Sequence, residues 1–267
     1  SRPVRSHNQA AEHVQSDVYG EMILTLAPIF FDTRFIDVRT KEHEALVANL
    51  VRLCERSISQ PDAGPWELRN GWKEHSFTNP MCWAGLDRAY RMQRAGFLLD
   101  LPTNLDTARA RAANALLQAT KDKALRNGPT DESYDASLAQ LAILGFPDRE
   151  VCDTTITQIK QALAVRQDGK ETGFFFRYLR QDDFGKPQSS FVICSFWVVQ
   201  ALAKLGRLAE AKQIMNQILT GANGVGLFAE HFVPETRVQL GNFPQAYSHV
   251  GLINAAFAVS PPWSDVL

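Results

Sequence analysis

Apolar residues recur at helical spacing along almost the whole chain. Residues 17–30, "DVYGEMILTLAPIF", and 41–58, "KEHEALVANLVRLCERSI", carry apolar positions three and four apart. In the second stretch Ala45, Leu46, Leu50 and Leu53 form one stripe and predict its buried face. The same periodicity predicts helices over about 77–95, 103–121, 134–144, 149–165, 189–205, 207–220 and 244–259. The run "FVICSFWVVQALAKLG" is apolar on nearly all sides yet far too short to span a bilayer, so it predicts a helix buried on most faces. No strand-type alternation persists for more than a few residues. "GFFFRYL" is the ambiguous piece, a strand or part of a long connection.

The connections are uneven. In "KLGRLAEA", Gly206 stops one helix and the next begins at once, which predicts a helical hairpin. Three others, 60–76, 166–188 and 221–243, are long and rich in Gly, Pro and aromatic residues. Loops of that length in a compact domain are commonly functional, and these are too aromatic for disorder. Helix pairs joined tightly at one end and loosely at the other stack into a toroid or solenoid with the long loops framing one face. No sequence repeat is evident, which favours a closed barrel of helical hairpins, all-α, as a single domain over 1–267.

Composition narrows the partners. Over 267 residues the formal net charge is −1, with 21% charged residues of both signs interspersed. That gives no electrostatic footprint for nucleic acid or an anionic membrane, and a neutral ligand is expected. Cys54, Cys82, Cys152 and Cys194 lie far apart without a CxxC pair, so they suggest neither a zinc site nor a redox dithiol. Three sit in apolar stretches and predict buried thiols of a reducing compartment, the cytoplasm. The histidines, His7, His13, His43, His75, His231 and His249, form no metal-binding spacing, and no metal or other cofactor is expected. The opening "SRPVRSHNQAAEHVQ" lacks the apolar core of a signal peptide, and its start without methionine suggests a cut from something longer.

Each long loop holds a candidate group. The first has Trp66, Glu67 and Arg69 behind a Pro-Asp-x-Gly-Pro turn; the second has Arg177 and Tyr178; the third has Glu230 in "GVGLFAEHFVPET". Two glutamates on two such loops suggest paired carboxylates facing a pocket, the arrangement that hydrolyses glycosides. One carboxyl must stay protonated, which an apolar neighbour favours, and Glu67 follows Trp66. The other must stay ionised, which hydrogen-bond donors favour, and Gln245 and Ser248 are candidate partners for Glu230.

Each residue also has a plainer role. Arg177 in an aromatic loop could serve packing alone. Trp83 and Trp197 sit along helices in apolar company and predict core positions. Asp17, Asp87 and Asp135 read as helix caps. Ser248 beside His249 is no Ser-His hydrolase, because no GxSxG elbow is present.

Longer strings carry a family resemblance. "SRPVRSHNQAAEHVQSDVYGE", "PDAGPWELRNGWKEHSFTNPMCWAGLDRA", "YDASLAQLAILGF", "FVICSFWVVQALAKLGRLAEA" and "GVGLFAEHFVPETRVQLGNFPQAYSHVGLINAA" resemble, in order, the motifs of glycoside hydrolase family 15, the glucoamylase-like enzymes. The resemblance implies an (α/α)6 barrel and an inverting, exo-acting release of glucose from α-glucosides: starch-like oligosaccharides, trehalose or α-1,6-linked glucans. By the same resemblance Glu67 is the general acid and Glu230 the general base. Trp66 stacks on the sugar, Arg69, Arg177 and Tyr178 belong to the sugar site, and Ser248 supports the base. Inversion requires the two carboxyls about 6.5–9.5 Å apart.

Two departures qualify this. "LRNGWKEHSF" replaces the Val-Arg-Gly-Gly and Pro-Arg-His runs that follow the acid in many bacterial members, and His231 stands where a second acidic residue usually follows the base. The Trp-x-Arg-Asp clamp of the family's N-terminal half is also absent. The resemblance therefore implies the C-terminal portion of the barrel, about four of its six helix pairs, with the missing half or a second copy covering exposed apolar faces. An isolated chain of this kind could be weakly active or serve as a non-catalytic carbohydrate-binding or regulatory module. A bare helical scaffold is the third reading, and the aromatic loops speak against it.

Overall fold

The computed structural model describes residues 12–68, 71–98, 100–182 and 185–262. The chain divides into two compact units, 1–120 with 128–131, and 121–127 with 132–267. A single domain is the expectation from sequence, and no linker or change of composition marks the division.

The first unit is built from α1 (Asp17–Phe31), α2 (Lys41–Ser57), α3 (Thr78–Arg94) and α4 (Leu105–Gln118). All four fall within a few residues of the predicted ranges. α4 starts where it does because the Asn104 side chain accepts the Thr107 amide at 3.0 Å, satisfying a donor that has no partner within the helix. α3 is the centre: it packs against α1, α2 and α4, and Cys82, Leu86, Ala89 and Met92 are fully enclosed. α1 and α3 meet backbone to backbone. A Cβ on Gly20 would lie 2.1 Å from the Met81 carbonyl oxygen, and one on Gly85 would lie 2.9 Å from the Gly20 Cα.

Two details differ from the sequence reading. The buried stripe of α2 is Val47, Leu50, Val51 and Cys54, while Ala45 is exposed, Leu46 is 42% exposed and Leu53 is half-buried. Two apolar stripes run side by side on this helix, and only packing against α1 and α3 selects between them. Asp87 is no cap either. It lies mid-helix and pairs with Arg91 at 2.8 Å and with Arg109 of α4 at 2.7 Å, tying α3 to α4. Asp17, also read as a cap, is buried with Oδ1 unpartnered, and α1 has no side-chain cap. Asp135 does cap, accepting the Ser137 amide at 3.0 Å.

The second unit begins with β1 (Thr120–Lys121) at its boundary and β2 (Ala124–Leu125), then a 3-10 turn (Ala136–Ala139) with α5 (Gln140–Ile143), and α6 (Arg149–Leu163). β3 (Ala164–Gln167), β4 (Lys170–Phe175) and β5 (Ser190–Phe191) lead to α7 (Val192–Lys204) and α8 (Leu208–Leu219), followed by β6 (His231–Val233), β7 (Val238–Leu240) and α9 (Ala246–Val259). α7 is the buried helix its composition predicts; Phe196, Val198, Val199 and Leu202 are all fully enclosed. It ends as expected at Gly206, whose φ of +82° lets its amide reach Ala203 O while Arg207 N reaches Leu202 O, and α8 follows at once. Cys54, Cys82, Cys152 and Cys194 are all free and buried.

The long connections of this unit are not plain loops. β3 and β4 pair as an antiparallel hairpin, and β5, β6 and β7 form a three-stranded antiparallel sheet with Phe191 opposite His231 and His231 opposite Leu240. The ambiguous "GFF" is the end of β4. Strands this short cannot show alternation, but one signal was present. Asp168 and Gly169, with φ of 51° and 76°, form the two-residue Asp-Gly turn that joins hairpin strands.

Two outcomes follow from the first unit. Gly20→Ala forces a methyl into the Met81 carbonyl and is expected to destabilise the unit by about 1–3 kcal/mol, read by urea unfolding. Asp17 is pushed up to about 7, first by burial and then by the charges of Glu21 and Asp62. The folded chain therefore keeps a proton that the unfolded chain releases above its ordinary value of 3.8. This group's contribution to stability falls as pH rises from that value to about 7, and is level above it. Asp17→Asn is expected to flatten that fall and raise the unfolding midpoint at pH 8 relative to pH 5.

Candidate active site

Glu67 is presented by a loop organised around one buried carboxyl. Asp62 is fully enclosed; its Oδ2 accepts the Ser16 amide at 3.0 Å and the Thr78 hydroxyl at 2.7 Å, and its Oδ1 accepts the Gly64 amide at 3.0 Å. Its backbone pairs with Lys73, closing the loop as an isolated antiparallel bridge. Gly64 turns at φ +64°, a conformation that favours glycine, and a Cβ there would stand 3.1 Å from the His75 ring, which would have to give way by a few tenths of an ångström. The chain then coils back: Glu67 N donates to Gly64 O and Leu68 N to Ala63 O. Trp72 Nε1 closes the next turn on Leu68 O at 3.0 Å.

The result places Glu67 at φ +54°, a left-handed conformation that an ordinary side chain occupies at a cost of about 1 kcal/mol. Its side chain is exposed and Trp66 beside it is half-buried. Strain of this kind clusters at functional positions. Arg69 lies outside the described residues.

In the second unit Glu230 immediately precedes β6. Its backbone is held on both sides: Val192 N donates to Glu230 O at 3.0 Å, and Glu230 N donates to Asn242 O at 3.0 Å. Its carboxylate receives the Tyr247 hydroxyl on Oε1 at 2.7 Å, and the backbone amide and side-chain amide of Asn242 on Oε2, each at 3.1 Å. Burial pushes this carboxyl up, but the hydrogen bonds from Tyr247 and Asn242, with the charge of His231, outweigh it and hold it below the usual glutamate range. Glu230 is therefore ionised at neutral pH. The Tyr247 hydroxyl moves the opposite way, pushed well up by burial and by donating to Glu230.

The partners expected for Glu230 are not the ones observed. Ser248 is fully buried and donates to the carbonyl of Ala229 at 3.0 Å, while Gln245 N donates to Phe228 O. Both fix the backbone leading to Glu230 and neither reaches its carboxylate in these contacts. Asn242 and Tyr247 lie 12 and 17 residues further on, spacings that carry no local signal.

Arg177 follows β4. Its Nη2 pairs with Asp182 Oδ2 at 2.6 Å, and the Tyr178 hydroxyl donates to the same oxygen at 2.5 Å. The Tyr178 ring is fully buried, with the guanidinium of Arg180 3.8 Å above it and Arg180 itself paired to Asp135. A residue so enclosed cannot touch a ligand in this arrangement; it props Arg177 and Asp182. Those two, with Lys186, Gln188, Ser189 and His231, line a cavity of about 330 Å³. His231, adjacent to Glu230, meets Ser189 Oγ at 3.1 Å through Nδ1 and stands edge-on to Phe191. Burial holds its imidazole below the usual value against the opposing charge of Glu230, so it is neutral at pH 7. A cavity lined by hydrogen-bonding groups, with Arg177 paired to Asp182, can take a polyhydroxylated ligand. Trp83 is buried as expected, and Trp197 is half-buried.

The same helix-rich fold occurs in solved glycoside-processing enzymes. A wild-type glycosidase matches with a TM-score of 0.73 at 19% identity, over 92% of this chain and 67% of that one. The glucoamylase of Hormoconis resinae matches with a TM-score of 0.68 at 13% identity, over 92% of this chain and 53% of that one. Residues 1–214 match the model of the glycosyl hydrolases family 15, and the chain belongs to that family. Among curated relatives, the trehalase of Mycobacterium tuberculosis is 30% identical over 97% of this chain and 38% of its own length. The chain thus spans less than half the length of that relative. No helix of the described residues is long and apolar enough to cross a membrane.

The strained backbone at Glu67 yields one expectation. Glu67→Gly removes the left-handed penalty and is expected to raise stability by up to about 1 kcal/mol in thermal or urea unfolding, although it deletes the carboxyl. A loss of stability would show that the side chain itself holds the loop.

Proposed function

We propose that this chain carries both catalytic carboxylates of an inverting, exo-acting glycoside hydrolase that releases glucose from α-glucosides. Glu230 is the general base. Held ionised by three donors, it takes a proton from water as the water oxygen attacks the anomeric carbon. Glu67 is the general acid, protonating the leaving oxygen as the glycosidic bond breaks. Arg177, supported by Tyr178 and Asp182, and Trp66 and Arg69 from the first loop, bind the sugar; Ser248 acts through the backbone of Ala229. No cofactor is required. The hydrogen-bonded state of Glu230 carries the reading, since two rigid sources of donors to an ionised carboxylate are what a base of this type needs.

Trehalose is the first substrate to test, because the similar Mycobacterium tuberculosis protein is a trehalase. Starch-like oligosaccharides and α-1,6-linked glucans come next. The partial span of its relatives and the charge-free helix α9, which exposes Val250, Ile253 and Phe257, support a further proposal. An N-terminal half of the barrel, or a second copy, covers that face. The four buried free thiols suit a reducing compartment, and we place the protein in the cytoplasm.

One observation favours a second reading, a carbohydrate-binding or regulatory module without catalysis. Glu67 is exposed, and a general acid needs apolar cover to keep its proton at neutral pH.

Proton NMR of trehalose, maltotriose and isomaltose incubated with the chain separates the two. Inversion is expected to give β-glucose first from maltotriose, and equal α- and β-glucose from trehalose, since only the attacked carbon inverts. Glu230→Gln and Glu67→Gln are each expected to lower the rate by 100-fold or more, on the order of a general acid–base contribution. Line broadening of the sugars without hydrolysis would select the binding module, and neither effect would sink both readings.

A further inference from the structure

We propose that Tyr247 and the Gly241–Asn242 turn form a clamp that positions Glu230, the tyrosine fixing Oε1 and the turn fixing Oε2, so that the carboxylate meets its water in one orientation. This inference rests on the assignment of Glu230 as general base.

The distance between Tyr247 and Glu230 is set by how α9 is tied to the segment that leads into β6. Three contacts make that tie. Gln245 N donates to Phe228 O at 3.0 Å, Phe228 N donates to His249 Nε2 at 3.2 Å, and Ser248 Oγ donates to Ala229 O at 3.0 Å. Further along, Gly251 lets α9 close on α7, where an added Cβ would stand 3.1 Å from Phe196 Cβ. Tyr247, the second residue of α9, therefore has its Cα placed by the same segment that carries Glu230. Its ring is held as well, lying nearly parallel to Phe191 with centroids 5.9 Å apart and planes at 14°. Phe191 pairs in turn with His231 across the β5–β6 ladder.

The other side is equally defined. Gly241 turns at φ +77°, and a Cβ there would lie 2.6 Å from Glu230 Oε2, so any larger residue displaces the carboxylate. Glycine at this position lets Asn242 bring its backbone and side-chain amides to the same oxygen. Three donors leave lone-pair capacity on Oε1, enough for the proton that a base must accept. A free glutamate side chain with several rotatable bonds would spend most of its time misaligned, and alignment is a large part of catalytic rate. The clamp supplies it by acting on Glu230 through Tyr247 and Asn242.

Tyr247→Phe tests the idea, because it keeps the ring and its stacking on Phe191 and removes only the hydroxyl. The full chain, labelled with ¹³C at the glutamate carboxyls, is titrated by NMR, and the Glu230 signal is identified by its absence in Glu230→Gln. In Tyr247→Phe this signal is expected to titrate at higher pH than in the parent chain. With trehalose as substrate, the acid limb of the kcat profile is expected to move the same way. A base that is easier to protonate loses its ionised form sooner as pH falls. At the optimum kcat is expected to drop about tenfold with KM nearly unchanged, the loss of one charge-assisted hydrogen bond. Gly241→Ala, which pushes the carboxylate from the other side, is likewise expected to lower kcat with KM nearly unchanged.

An unchanged Glu230 titration in Tyr247→Phe overturns the clamp, as does a raised KM with kcat and titration both unchanged. Retained activity in Glu230→Gln would instead remove the base assignment, and the NMR titration would still report whether Tyr247 holds the carboxylate.

Discussion

The buried carboxyl of Asp62 is the constraint on which the first unit's functional loop depends. Three donors from three parts of the sequence converge on it: the Ser16 amide before α1, the Gly64 amide in the turn, and the Thr78 hydroxyl at the start of α3. An acidic group without exposure would be costly if any of these were missing. Its position therefore fixes where α1 and α3 begin relative to the loop between α2 and α3. From the Gly64 turn the chain coils back through hydrogen bonds of Glu67 and Leu68, which leave Glu67 left-handed.

Donor supply separates the acids of this protein more sharply than burial does. Asp17 and Glu230 illustrate it. Asp17 is enclosed beside Glu21 and Asp62, with one weak donor from Gln15 at 3.4 Å and one oxygen unpartnered, and it holds its proton to about 7. Glu230 is partly enclosed too, yet three short donors keep it ionised. The same physics, burial raising and hydrogen bonding lowering, gives opposite directions because Asn242 and Tyr247 bring three donors to Glu230, while Asp17 faces the like charges of Glu21 and Asp62 with one oxygen unpartnered. A base must be of the second kind.

Much of the fold was legible in the sequence, because helices announce themselves by periodicity. Each predicted helical stretch holds a helix, the 134–144 stretch being shared between a 3-10 turn and α5, and Gly206 ends α7 as read. What failed was finer. The buried stripe of α2 could not be chosen between two adjacent apolar stripes without knowing what packs on it. The short strands within the 166–188 and 221–243 connections were too brief to alternate, though Asp168-Gly169 marked one hairpin. The site followed the same division. Arg177 lines a cavity and Glu230 stands in hydrogen-bonded surroundings next to His231 of that lining, but Tyr178 is fully buried and Ser248 works on backbone. Asn242 and Tyr247 were missed because tertiary contact brings them to Glu230, whereas Asp182, four and five residues after Tyr178 and Arg177, is a local partner with no helical or strand spacing to mark it.

The two candidate carboxyls also differ in how the chain secures them, and the difference matches the tasks proposed. Glu230 is held by its own side-chain hydrogen bonds, with its backbone pinned between α7 and the turn at Asn242. Its orientation is thus set before any ligand arrives. Among the described residues Glu67 is secured through backbone, by a left-handed turn that leaves its side chain exposed. A general acid must act on an oxygen that the ligand brings, and its proton is retained only where apolar surface covers it. A side chain free to meet its partner, on a backbone that cannot drift, leaves that cover to be supplied by whatever closes over Glu67. On the roles proposed for them, Glu67, far more than Glu230, is therefore the group whose competence depends on surface beyond its own loop.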